Sequence, residues 1–276
     1  LAILLGTIFG ALINLTHGPV IICFAVLLIA VLGWVSSLFV PSTKGNPKIK
    51  IDYNIVRSTK EILRYTTSSQ LLFLLVIGIS WFWFLGALLL SQIPNLAKDI
   101  LGASESVVNL FICIFTIGIA TGSLLCNRIL KHEIHTTYIP LASLIMTIFL
   151  FDLYWISSQE YVHTTKLLGM SGLLATFDGW HFLFSLFMIS LAGGLFIVPL
   201  YAYLQISCKS EVCSRVIAGN NIISSLFMVA AAVLAGGLVH FGFSISEIFL
   251  VTAFLNMFMT FYICRILPDA FIKMIF

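Results

Sequence analysis

The chain has 276 residues, of which 60% are hydrophobic and 9% charged, with a mean hydropathy of +1.11 and a formal net charge of +3. Soluble domains carry about 25% charged residues, and a globular core of this length could not shelter so much apolar surface, whereas a bilayer solvates it directly. A soluble domain is therefore excluded, and no nucleic-acid partner is expected.

A membrane helix needs roughly 20 mostly apolar residues. In chain order the spans are expected at about 1–15, 20–40, 71–91, 107–126, 137–157, 182–202, 218–239 and 245–267. The first is short, and because the chain opens at Leu1 inside an apolar run, it reads as a start partway through a longer protein rather than as a signal peptide. Between the second and third spans lies a basic connector, 41–70, with Pro41, Gly45 and Pro47 at its start. A short helix is predicted at Asn54–Tyr65, with Ile55, Val56, Ile62 and Leu63 on one side and Arg57, Lys60 and Arg64 on another. It reads either as a helix on the inner membrane surface or as a solvated linker. Residues 158–181 form the longest outer connection, where no element is predicted.

Orientation follows from the basic residues. With loops counted alternately, Lys98 and Lys166 fall on one side and the other twelve Lys and Arg on the opposite side. The positive-inside rule places the 41–70 loop and both ends of the chain in the cytoplasm.

Signatures of soluble enzymes are missing: there is no GxxxxGK, HExxH or GxSxG, and His163 and Asp178 are too far apart for an acyltransferase His-x4-Asp. The expectation is a chain that is not an enzyme. The six cysteines (Cys23, Cys113, Cys126, Cys208, Cys213, Cys264) contain no CxxC pair. Their spacing indicates neither zinc nor a disulfide framework, they read as small apolar residues, and no metal or cofactor is expected. Asp152 is the one acidic residue inside an apolar run. It is a candidate ion-coupling residue, although it lies near the outer end of its span, where interfacial solvation also accounts for it.

Uncharged polar and aromatic residues are more frequent in the spans. Trp81 and Trp83 lie on the third, Gln92 and Asn95 follow at its outer end, and Asn109 opens the fourth. Tyr201 and Gln205 lie at the end of the sixth, and Asn220 and Asn221 early in the seventh. Amides in hydrocarbon must pair across helices or face water, so the set reads either as interhelical bonding or as the lining of a cavity for an amphiphile with a polar head. Gly6–Gly10 and Gly118–Gly122 are GxxxG pairs and Ala232–Gly236 a small-residue variant, all suited to close helix approach. Gly193-Gly194, ahead of Pro199, reads as a flexible point.

The segment Ser123-Leu-Leu-Cys-Asn127-Arg128-Ile-Leu-Lys131 at a cytoplasmic helix end resembles the loop motif G-x-L-x-D-R-x-G-R of the major facilitator superfamily. Leu125, Asn127, Arg128 and Lys131 fit by type, while Ser123 and Leu130 stand where glycines are usual. The stretches 78–86 (GISWFWFLG), 193–205 (GGLFIVPLYAYLQ) and 214–223 (SRVIAGNNII) resemble that superfamily's bacterial lysophospholipid transporter branch. More closely, they resemble the transporter portion of proteins fused to an acyltransferase and an acyl-carrier-protein synthetase. The resemblance implies an all-α membrane fold in which eight helices correspond to helices 5–12 of a twelve-helix facilitator. Residues 1–40 would then be the last two helices of the first half, 41–70 the central loop, 71–268 the second half and 269–276 a cytoplasmic tail.

It further implies transport of 2-acyl-glycerophosphoethanolamine-type lysophospholipid across the bacterial inner membrane by alternating access, with fused or associated enzymes as partners. Trp81, Trp83, Gln92, Asn95, Asn109, Tyr201, Gln205, Asn220 and Asn221 would line the substrate site, and Ser123, Asn127, Arg128 and Lys131 would form a gating loop. Alternatives of the same architecture are a carrier of another amphiphile, drug or metabolite. A non-transporting scaffold for a lipid acyltransferase belongs to a different class.

Overall fold

The computed structural model describes residue 6 and residues 18–41, 54–67, 69–129, 138–159, 161, 167–208 and 212–266. These are all-helical apart from turns and one isolated bridge, and the chain divides into two compact units, Leu1–Thr59 and Lys60–Phe276. The expected first span, 1–15, lies outside the described residues except for Gly6.

In the first unit, α1 (Gly18–Ser37) occupies the expected second span. Its described apolar stretch, Cys23–Ser37, is shorter than a full crossing. Phe24, Ile29 and Trp34 are all exposed. At its end the Ser36 and Ser37 hydroxyls donate back to Leu32 O and Trp34 O, which satisfies them without a neighbour.

The short amphipathic helix is present as α2 (Ile55–Thr66), with the Asn54 side chain accepting from Arg57 N at its start. Its last residues belong to the second unit, and they are packed rather than merely lying on a surface. Glu61 pairs with Arg215 at 3.0 Å, and the Arg215 guanidinium sits 5.3 Å from the centre of the Tyr65 ring. Thr66 is buried against Gly219.

Among the described residues the second unit holds six helices long and apolar enough to cross a membrane, the pattern of an all-helical protein of the multi-pass membrane type. They are α3 (Gln70–Asn95), α4 (Glu105–Ile129), α5 (Tyr138–Ser157), α7 (Phe177–Ser207), α8 (Cys213–His240) and α9 (Ile245–Ile266), with the short α6 (Met170–Leu174) before α7. The extended Ser69 caps α3 by accepting from Leu72 N. Beyond Pro94, which lacks a backbone donor, α3 continues as a wide π-helical turn over Leu96–Ile100.

Two expectations are corrected here. Residues 158–181 are not featureless: Leu168 brackets Ala103 through hydrogen bonds to Gly102 O and from Ser104 N, both 3.0 Å, and α6 follows. Residue 102 must be glycine-like because its φ is 57°. The sixth span starts five residues earlier than expected, because Thr176 caps α7 through Gly179 N and Asp178 sits in the first turn, where a negative charge is favoured.

Of these helices α7 is central, packed on α3, α4 and α5, while α8 packs on α3 and α9 on α5. The α4–α7 seam depends on glycine. A Cβ on Gly118 would lie 2.8 Å from Phe187 O, and one on Gly122 would meet Leu191 O. A Cβ on Gly194 would lie 2.8 Å from Ser123 N. The expected GxxxG pair is thus used, but Gly194 serves close approach and not flexibility, since α7 runs unbroken through it. By contrast Gly236 has nothing within 4 Å, and α8 exposes Leu226, Val229 and Val233.

The helix order defines two ends. Lys60, Arg64, Arg128 and Arg215 mark a basic end, and the α3–α4, α5–α7 and α8–α9 connections mark the opposite end.

Candidate functional site

The sequence-predicted polar residues do not gather at one place. Gln92 and Asn95 sit one turn apart near the opposite end of α3, where Asn95 Nδ2 donates to Gln92 Oε1 at 3.1 Å. Asn109 is half-buried on the neighbouring α4. Trp83 lies nine residues back along α3, roughly 13 Å at the helical rise, and its indole donates to Tyr201 Oη on α7 at 3.1 Å. Gln205 is exposed one turn further on. Asn221 is exposed on α8.

Trp81 is committed to packing. Its Nε1 donates to Asn256 Oδ1 on α9 at 2.8 Å. The Asn256 amide in turn donates to Ser143 O at 3.0 Å and to Thr147 Oγ1 at 2.9 Å on α5. Ser143 and Thr260 share a 2.7 Å bond. Asn256 is 0% exposed, so this seam pins α3, α5 and α9 together in the apolar interior with its amide satisfied. Sequence reasoning missed Asn256. The available signal was an amide in the middle of the last span, which has to be paired.

Asn220 presents the opposite case. It is 0% exposed, yet neither its Oδ1 nor its Nδ2 has a hydrogen-bond partner. It lies on the α8 stripe that faces α3, one turn before Ser224, whose hydroxyl meets Ser80 at 3.1 Å. Its predecessor Gly219 is pressed against Thr66 and Ile62 of α2. An amide stripped of water and left unpaired costs about 1–3 kcal/mol, so this position needs a ligand, a water or a rearrangement to be at rest.

In the segment read as a gating loop, α4 continues to Ile129, so Asn127 and Arg128 are on its last turn and not in a loop. Arg128 is exposed, the Ser123 hydroxyl donates to Ile119 O at 2.8 Å, and Lys131 lies outside the described residues.

Asp152 on α5 has partners that sequence reasoning did not supply. His181 Nε2 meets its two oxygens at 2.9 and 3.0 Å, and Ser185, one turn further along α7, donates its hydroxyl to the same carboxylate. The residue types match a hydrolytic triad, but the connectivity does not. The carboxylate takes both donors, so the imidazole does not receive the serine proton and the hydroxyl is not activated.

The reading of the cysteines is corrected at one place. Cys208 and Cys213 are disulfide-bonded across the α7–α8 connection, with Cα atoms 5.2 Å apart. Residues five positions apart across a helix-to-helix turn meet geometrically, which spacing rules for CxxC motifs do not register. Among the described residues no cluster of His, Cys, Asp and Glu could hold a metal ion.

No protein family, no curated protein and no solved structure matches this chain.

Proposed function

We propose that the chain forms helices 5–12 of a facilitator-type transporter that moves lysophospholipid across the bacterial inner membrane by alternating access. The helices α3, α4, α5, α7, α8 and α9 would be its second half. The central observation is Asn220, a fully buried amide with both polar atoms unpartnered. It has the chemistry to bind the ammonium and phosphate groups of a zwitterionic head, one as acceptor and the other as donor.

Two further features support the reading. The packing order sets α3 against α8 and α4 against α7 and puts α5 with α9, as expected if helices 7, 8, 10 and 11 line a site and helices 9 and 12 stand outside it. The satisfied Trp81–Asn256–Thr147 seam lets the half move as one body, which rocking requires. In this reading the Trp83–Tyr201 pair belongs to the lining, whereas Trp81 is structural.

The test uses lysophosphatidylethanolamine with a brominated acyl chain, titrated against the chain in nanodiscs. Saturable quenching of tryptophan emission that is reduced in Trp83→Phe, with apparent affinity weakened about tenfold in Asn220→Leu, is the expected result. Quenching that never saturates, and is identical in the variants, removes lysophospholipid as the substrate.

A further inference from the structure

The Asp152–His181–Ser185 cluster is a second polar site, unconnected with Asn220. It joins α5 to α7 at the end opposite the basic loops. His181 and Ser185 stand one turn apart on α7, so one helix supplies both donors and the other the acceptor. The imidazole and the carboxylate are 30% and 29% exposed. The pair is thus neither fully buried nor fully open, and the Phe177 ring lies 6.3 Å from the imidazole. Asp152 lies five residues before the end of α5, about 7.5 Å of helical rise.

We propose that this cluster is a proton-binding site open to the aqueous phase at that end, and that its proton occupancy sets how firmly α5 and α7 are held together there. A carboxylate bordering hydrocarbon is costly alone and tolerable when its charge is balanced. With the proton on the imidazole, the pair is neutral overall and the Nε2–H bond to the carboxylate is charge-assisted. When that proton leaves to water, the pair carries one negative charge and the clamp between the helices weakens. The step makes and breaks one N–H bond, with water as the other party. Ser185 donates in both states and fixes the carboxylate's orientation.

The other titratable groups toward this end are Tyr154 on α5, Asp178 on α7, Tyr161 after α5, His240 at the end of α8, and Glu247 at the start of α9, which Ser244 caps. Across α4 and the end of α3, Glu105 pairs with Lys98, and Asp99 is exposed. None of them makes a hydrogen bond or ion pair with Asp152 or His181 among the described residues. The inference does not depend on what the bundle carries.

Hydrogen–deuterium exchange of the whole chain in phosphatidylcholine nanodiscs tests it, at about pH 6 and about pH 8, with the intrinsic rate dependence removed. Amides of 149–157 and 178–186 should exchange roughly three- to tenfold faster at the higher pH, while the basic ends of the same helices stay unchanged. Asp152→Asn and His181→Gln should abolish that pH dependence, and Ser185→Ala, which leaves both titrating groups, should keep it. Equal protection at both pH values in the wild type, with loss in the variants at either pH, would mean a structural pair only and overturn the proposal. Asp152→Asn preserves an acceptor for both donors, so it tests the point even where His181→Gln fails to fold.

Discussion

Trp81 and Asn256, on helices separated by most of the bundle's sequence, share a 2.8 Å hydrogen bond from the indole to the amide oxygen, and the same amide holds two groups on α5. Truncating Asn256→Ala strands the indole N–H, while Thr147 keeps its bond to Ser143 O. In membranes such interhelical bonds are worth about 0.6–1.7 kcal/mol each. Loss of roughly 1–3 kcal/mol is expected in reversible unfolding in bicelles. Trp81→Phe should cost less of the hydrogen-bonding term, because Asn256 keeps its bonds to Ser143 and Thr147.

The α4–α7 seam predicts a contrast between glycines. Gly122→Val forces atoms into Leu191 O and should destabilise by about 1–3 kcal/mol or prevent assembly. Gly236→Val meets nothing within 4 Å and should stay within about 0.5 kcal/mol. Side-by-side unfolding of the two variants checks this; equal costs would place the close approach elsewhere.

Asn220→Leu should separate stability from binding. Replacing an unpartnered buried amide by an apolar side chain of similar size should leave the chain as stable or about 1–2 kcal/mol more stable. Under the proposed function the same variant loses substrate. Thermal unfolding with and without lysophosphatidylethanolamine reads both effects, and ligand stabilisation should appear in the wild type alone.

Tyr161 carries a pH prediction outside the spans. Burial, and then the nearby negative charge of Asp178, push its phenol from the usual 10 up to about 12. Its hydroxyl donates to Ile156 O at 2.8 Å, which a phenolate cannot do. Because the folded value is raised, its contribution is fully present below about pH 10 and is lost as pH rises toward about 12. Relative to Tyr161→Phe, the wild type should lose stability in that window and match its slope at neutral pH.

Much of the architecture was legible from hydropathy, because a run of apolar residues long enough for a bilayer has few alternatives to a helix. The spans at 137–157 and 245–267 and the small helix after Asn54 matched to within a residue or so. What was hidden depends on partners distant in sequence. Asp152 stood in its run as a lone charge, and its partner His181 fell in a stretch read as a connection. That stretch is polar enough to look like loop, but the Thr176 cap turns it into the start of α7. Tryptophan and amide positions signalled polarity inside the membrane without saying which were already satisfied. Only three-dimensional pairing separates Trp81, bonded to Asn256, from Asn220, bonded to nothing.

The central claim is most directly tested by uptake of labelled lysophosphatidylethanolamine into cells producing the protein that contains this chain, alongside Asn220→Leu at matched expression. Saturable uptake above the background of cells lacking it, reduced about tenfold or more in the variant, is the predicted result. Uptake no higher than in cells lacking the protein would contradict lysophospholipid transport.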